Sequence, residues 1–134
     1  MTMKVKAALV DGFRSTIDNG RSHELVTDLP QALNGGNEGA TALELAVMGF
    51  AGCVTTIFKM IAGKMKIDIK SVEVEMEADK GAETVENVSF AVKVDSEAEV
   101  EKLERCLEMT EQTCPVGVLF RKAGVNIKHE LVKL

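Results

Sequence analysis

Apolar positions alternate at the start of the chain, fill one long stretch in its middle, and alternate again before two helical patterns. Met3–Val10 partly alternates and ends at Asp11-Gly12, a turn signal, so it reads as a strand. Phe13–Ile17 and Arg21–Thr27 read as two more strands around an Asp18-Asn19-Gly20 hairpin turn. Asp28–Gly39, with Pro30, Asn34, Gly35, Gly36 and Asn37, reads as a loop. Thr41 and Glu44 form a capping box that opens a helix from about Ala42 to Lys64. Its Leu45–Phe58 stretch is apolar on nearly every face, which predicts burial on all sides, as a central helix or under a second subunit. Ser71–Ala78 alternates strictly and pairs with Val85–Val94 as an antiparallel hairpin. Ser96–Glu99 reads as a second capping box, opening a helix with Val100, Leu103, Leu107 and Thr110 on one face. Cys114-Pro115 starts a short third helix, which Gly124 caps, and Val125–Leu134 alternates as a last strand. The order βββ-α-ββ-α-α-β predicts an α+β fold with antiparallel sheets, in one domain spanning 1–134.

Composition narrows the function. The 134 residues are 46% hydrophobic and 28% charged, as in a soluble globular chain, with a formal net charge of -5. An acidic surface without Trp or Tyr argues against nucleic acid as a partner. Leu45–Phe58 is shorter than the ~18 apolar residues of a membrane span. Met1–Lys6 has no apolar signal region, so the expected location is the cytoplasm.

Candidate chemistry rests on few residues. Three cysteines, with no CxxC pair and only two histidines, fit neither a disulfide framework nor a structural metal site, and no cofactor is indicated. Cys53, in the middle of the apolar helix, reads as a small hydrophobe or a reactive thiol. Cys114 reads as a helix N-cap or as a thiol whose anion that helix start stabilises. Cys106, beside the apolar stripe, reads as a packing residue, and His23 and His129 as strand-face residues.

The run Ala42-Leu43-Glu44-Leu45-Ala46-Val47-Met48-Gly49-Phe50-Ala51-Gly52-Cys53 resembles the central-helix motif of the OsmC/Ohr superfamily, and Cys114-Pro115-Val116 resembles that superfamily's second cysteine segment. The resemblance extends over nearly the whole chain. It implies an intertwined homodimer with antiparallel sheets wrapped around paired central helices. It also implies thiol-dependent reduction of organic hydroperoxides, in which Cys53 becomes a sulfenic acid and Cys114 resolves it as a disulfide, with a dithiol reductant completing the cycle. The family's arginine and glutamate would correspond to Arg14 and Glu44. The glutamate position itself holds Leu43, one residue earlier, and Ala42 stands where the family has proline, which places the chain near the divergent OsmC-like branch. Two other functions compete with the enzyme: a binding module for a small acyl or lipid-like ligand, and a redox sensor switched by a Cys53–Cys114 disulfide.

Overall fold

The early alternation produces a three-stranded antiparallel sheet of β1 (Lys6–Asp11), β2 (Arg14–Asp18) and β3 (Glu24–Thr27), in that order. The structure is a computed structural model that describes residues 1–134, and the chain divides into two units, Met1–Ala46 and Val47–Leu134. β3 begins later than the expected Arg21 because local side-chain bonds claim the preceding residues. Asp18 accepts from the Gly20 N–H and Asn19 from the Arg21 N–H, while the Asn19 amide lies 3.0 Å from His23 Nδ1. The loop after β3 contains a short 3-10 turn at Gln31–Leu33 and is tied together by Asp28, whose carboxylate accepts from the Leu29 and Glu38 N–H groups.

Helix α1 (Ala42–Lys64) starts in the first unit and continues through the second. Its capping box forms as expected: Thr41 N–H donates to Glu44 at 2.9 Å, and Glu44 N–H donates to the Thr41 hydroxyl at 3.1 Å. The expectation of burial on every side fails within this single chain. Phe50, Val54, Phe58, Ile61 and Ala62 are buried, while Met48 and Met60 are exposed. The expectation that the apolar stretch is too short for a membrane also needs correction. Apolar residues continue beyond Phe58, and an 18-residue window of α1 reaches a mean hydropathy of 1.8, long and apolar enough to cross a membrane by length and composition. The core helix of a soluble protein satisfies the same criterion.

The second unit holds β4 (Ser71–Lys80), β5 (Val85–Asp95), α2 (Val100–Thr113), α3 (Pro115–Lys122) and β6 (Asn126–Lys133). Its sheet has the order β4-β5-β6. β4 and β5 pair antiparallel, but β6 runs parallel to β5, unlike the expected all-antiparallel arrangement. The cause is topological: α2 and α3 lie between β5 and β6 and form the crossover that a parallel pair requires. Val88, Phe90, Val92 and Val94 of β5 join Phe50, Val54 and Phe58 of α1 and Leu103, Cys106 and Leu107 of α2 in one core. The expected second capping box does not form. Ser96 instead donates to the Asp68 carbonyl and accepts from Ala98 N–H, and Glu99 precedes α2 without a side-chain cap. The buried stripe of α2 is Leu103, Cys106, Leu107 and Thr110, with Val100 exposed. α3 ends with Gly124 at φ +86°, its N–H on the Arg121 carbonyl and the next N–H on the Phe120 carbonyl, a Schellman ending that favours glycine.

Candidate functional site

Three helices bring two thiols together. Cys53 projects from α1, and Cys114 sits at the junction of α2 and α3. Pro115 occupies the first turn of α3, where its missing N–H costs no helical bond, so Cys114 becomes the N-cap and its sulfur accepts from the Gly117 N–H. The Cys114 thiol donates to Cys53 Sγ at 2.8 Å, although the two residues are 61 apart in sequence. Both are free thiols. Cys53 is partly exposed and Cys114 is 1% exposed. Burial, reinforced by the hydrogen bond to Cys53, pushes the Cys114 thiol up to about 11.

The surroundings of the pair are aromatic and close-packed. The Phe50 ring lies 4.9 Å from that of Phe120 and 5.8 Å from that of Phe90, centroid to centroid. A Cβ at Gly117 would fall 3.1 Å from Phe50 Cε1 and 3.5 Å from Cys114 Sγ, so this turn of α3 approaches the thiol closely because residue 117 has no side chain. A cavity of about 10 Å³ lies beside Cys114, lined by Phe50, Phe90, Gly117, Glu111 and Arg121 among others.

Glu111 and His129 make up the polar side of this region. His129 Nδ1 is 2.8 Å from Glu111 Oε2, and Arg121 Nη1 donates to the Glu111 backbone carbonyl at 2.8 Å. The sequence reading left Glu111 and Arg121 out, although helical and strand periods both pointed here. Glu111 follows Leu103 and Leu107 at spacings of four, and His129 shares an alternation with Ile127 and Leu131. His129 pairs in register with Phe90, which places it on the same face of the sheet as the core residues.

The other expected site residues have local partners. Glu44 is engaged in the cap with Thr41. Arg14 stands on β2, where its charge adds to the Glu38, Leu29 and Gly36 N–H groups in holding the Asp28 carboxyl below its usual value. Cys106 is fully buried, donates to the Phe58 carbonyl at 3.6 Å, and is pushed up to about 11 by burial. No group of three or more His, Cys, Asp or Glu side chains is placed to hold a metal ion.

A family model described as OsmC-like protein matches residues 35–130. The fold is similar to that of an OsmC-like protein from Mycoplasma pneumoniae, with a TM-score of 0.90 at 12% identity, covering 100% of this chain and 98% of the other. It is also similar to an organic hydroperoxide resistance protein from Elizabethkingia anophelis, with a TM-score of 0.78 at 18% identity and coverage of 100% and 97%. A third likeness is to an organic hydroperoxide resistance protein OsmC from Legionella pneumophila, with a TM-score of 0.74 at 18% identity and coverage of 98% and 97%. Among curated proteins, none matches the sequence.

Proposed function

Because the chain belongs to the OsmC-like protein family, we propose that it is a cysteine-based peroxidase for organic hydroperoxides, with Cys53 as nucleophile and Cys114 as resolving thiol. The observation that carries this reading is the 2.8 Å separation of two free thiols, one partly exposed and the other buried behind it. The names of the relatives from Elizabethkingia anophelis and Legionella pneumophila support the substrate class.

The Cys53 thiolate attacks the terminal peroxide oxygen. An S–O bond forms, the O–O bond breaks, and the alkoxide takes a proton to leave as an alcohol. Cys114 then attacks Cys53 Sγ. The S–S bond forms, the S–O bond breaks, and the departing hydroxide takes up a proton to leave as water while Cys114 gives up its own. The two thiols lose two electrons in all, and a dithiol returns them by thiol–disulfide exchange. The sulfur atoms need to close from 2.8 Å to about 2.05 Å. Phe50, Phe90 and Phe120 make the surroundings of the pair apolar. In this reading the chain acts as a homodimer kept reduced in the cytoplasm.

The test is consumption of cumene hydroperoxide with dithiothreitol as reductant. Sustained turnover is expected. Loss of a single equivalent would fit a sensor, and no loss at all would leave a ligand-binding role.

A further inference from the structure

We infer that Glu111 takes the thiol proton of Cys114 as Cys114 attacks Cys53, and that His129 is the positioning residue that holds Glu111 for this. The inference rests on the dithiol reading above, but it concerns a residue that neither the cysteine motifs nor Arg14 and Glu44 include.

Glu111 and Cys114 line the same cavity of about 10 Å³, a space near the lower limit for a single water molecule. Glu111 and Cys114 both border that space, and a carboxylate that reaches a thiol directly or through one water can act as its general base. Cys114 needs such a base. It is buried, its proton points at Cys53, and its thiol is pushed up to about 11, which leaves only about one molecule in ten thousand as thiolate at pH 7.

Glu111 is fixed from two sides: His129 Nδ1 from β6 at 2.8 Å, and Arg121 from α3 through the backbone carbonyl. Its side chain is 23% exposed, so a proton it accepts can pass on to solvent. The titratable and charged groups around it are His129 of β6, Arg121 of α3 and the Cys53–Cys114 pair. Lys128 and Glu130 occupy the alternate positions of β6, facing away from His129. The His129 contact joins β6 to the end of α2 through the Glu111 carboxylate, and the Arg121 contact joins α3 to it through the backbone carbonyl.

The step can be isolated from peroxide chemistry with dithiobis(nitrobenzoate) on the full reduced chain. Cys53 attacks the reagent and releases one coloured thiolate. Cys114 then attacks the mixed disulfide: the Cys53–Cys114 bond forms, the bond to the aryl sulfur breaks, and a second aryl thiolate leaves with the electron pair while the Cys114 proton passes to Glu111. In Glu111→Gln the first release is expected within two-fold of wild type, and the second at least ten-fold slower at pH 7, in line with the typical size of general-base effects of ~10²–10⁴. The second release in the variant should gain about ten-fold per pH unit toward pH 11, while wild type is shallower. Glu111→Asp should restore part of the rate, and His129→Gln should slow it less than Glu111→Gln does.

A second release in Glu111→Gln within two-fold of wild type, or slowed equally at every pH, overturns the inference. A wild-type chain with no second release overturns it together with the resolving role of Cys114. A wild-type chain with two normal releases but no peroxide consumption overturns the peroxidase reading alone.

Discussion

Cys53 Sγ and Cys114 Sγ are 2.8 Å apart, and the hydrogen between them belongs to the more buried of the two. The asymmetry makes the two serine variants fail differently. Cys53→Ser should consume no peroxide even in a first turnover, because no base is placed to activate a hydroxyl there. Cys114→Ser should consume about one equivalent and stop as a sulfenic acid that dimedone traps. Mass spectrometry of the oxidised wild type should find the peptides of Cys53 and Cys114 linked. A link between Cys106 and Cys114 would overturn the assignment.

Cys106 is a second buried thiol with no route to this chemistry, since it donates to the Phe58 carbonyl inside the core. Its signature lies in stability at alkaline pH. The folded thiol is raised from 9.0 to about 11, so the folded state keeps its proton where the unfolded chain has lost it. The stability this confers is complete below about pH 9 and is lost as pH rises toward 11. Cys106→Ala should leave peroxide consumption intact and cost ~1 kcal/mol at pH 7, as small core truncations do. Urea midpoints between pH 8 and 11 should then fall less steeply than those of wild type, Cys114 supplying the remaining slope.

Much of this was legible in the sequence because local patterns carried it. The α1 boundaries at Ala42 and Lys64, the Thr41–Glu44 cap and the β4–β5 pair follow from periodicity and capping chemistry that act within a few residues. The juxtaposition of Cys53 with Cys114 came from family resemblance, since no local rule places residues 61 apart side by side. The parallel pairing of β6 was not legible, because strand direction depends on where the α2–α3 crossover returns the chain and not on the alternation within β6. Ser96 failed as a cap for a related reason: its hydroxyl meets the Asp68 carbonyl, a partner 28 residues away. Glu111 was not legible as a site residue, because its charge marks it for solvent and only its four-residue spacing from Leu107 points toward the site.

The exposed apolar side chains of each unit lead to an assembly prediction. In the first unit Leu9 is 70% exposed and Phe13 55%, and in the second Met48 and Met60 of α1 are uncovered. A homodimer burying these residues should exceed the ~2,000 Å² typical of obligate interfaces. Light scattering at micromolar concentration without detergent should give twice the mass of the chain. A folded monomer would exclude the dimer, and a requirement for detergent would favour a membrane role for α1.

Gly117 sets two effects of known size against each other. Replacing a helical glycine with alanine gains up to about 1 kcal/mol from propensity alone. Here the new Cβ would meet Phe50 Cε1 at 3.1 Å, tighter than ordinary contact, and Phe50 cannot retreat freely because Phe90 and Phe120 pack against its ring. Overpacking of this kind costs about 1–3 kcal/mol, so the net effect of Gly117→Ala should be a loss of about 1 kcal/mol. The same Cβ lies 3.5 Å from Cys114 Sγ, an ordinary contact, so the closing of the Cys53–Cys114 disulfide should slow only modestly. A urea titration checks the first effect, and the second release from dithiobis(nitrobenzoate) checks the other. A stabilised Gly117→Ala would show that Phe50 yields and that helix propensity, not the close approach of α3 to α1, governs this position.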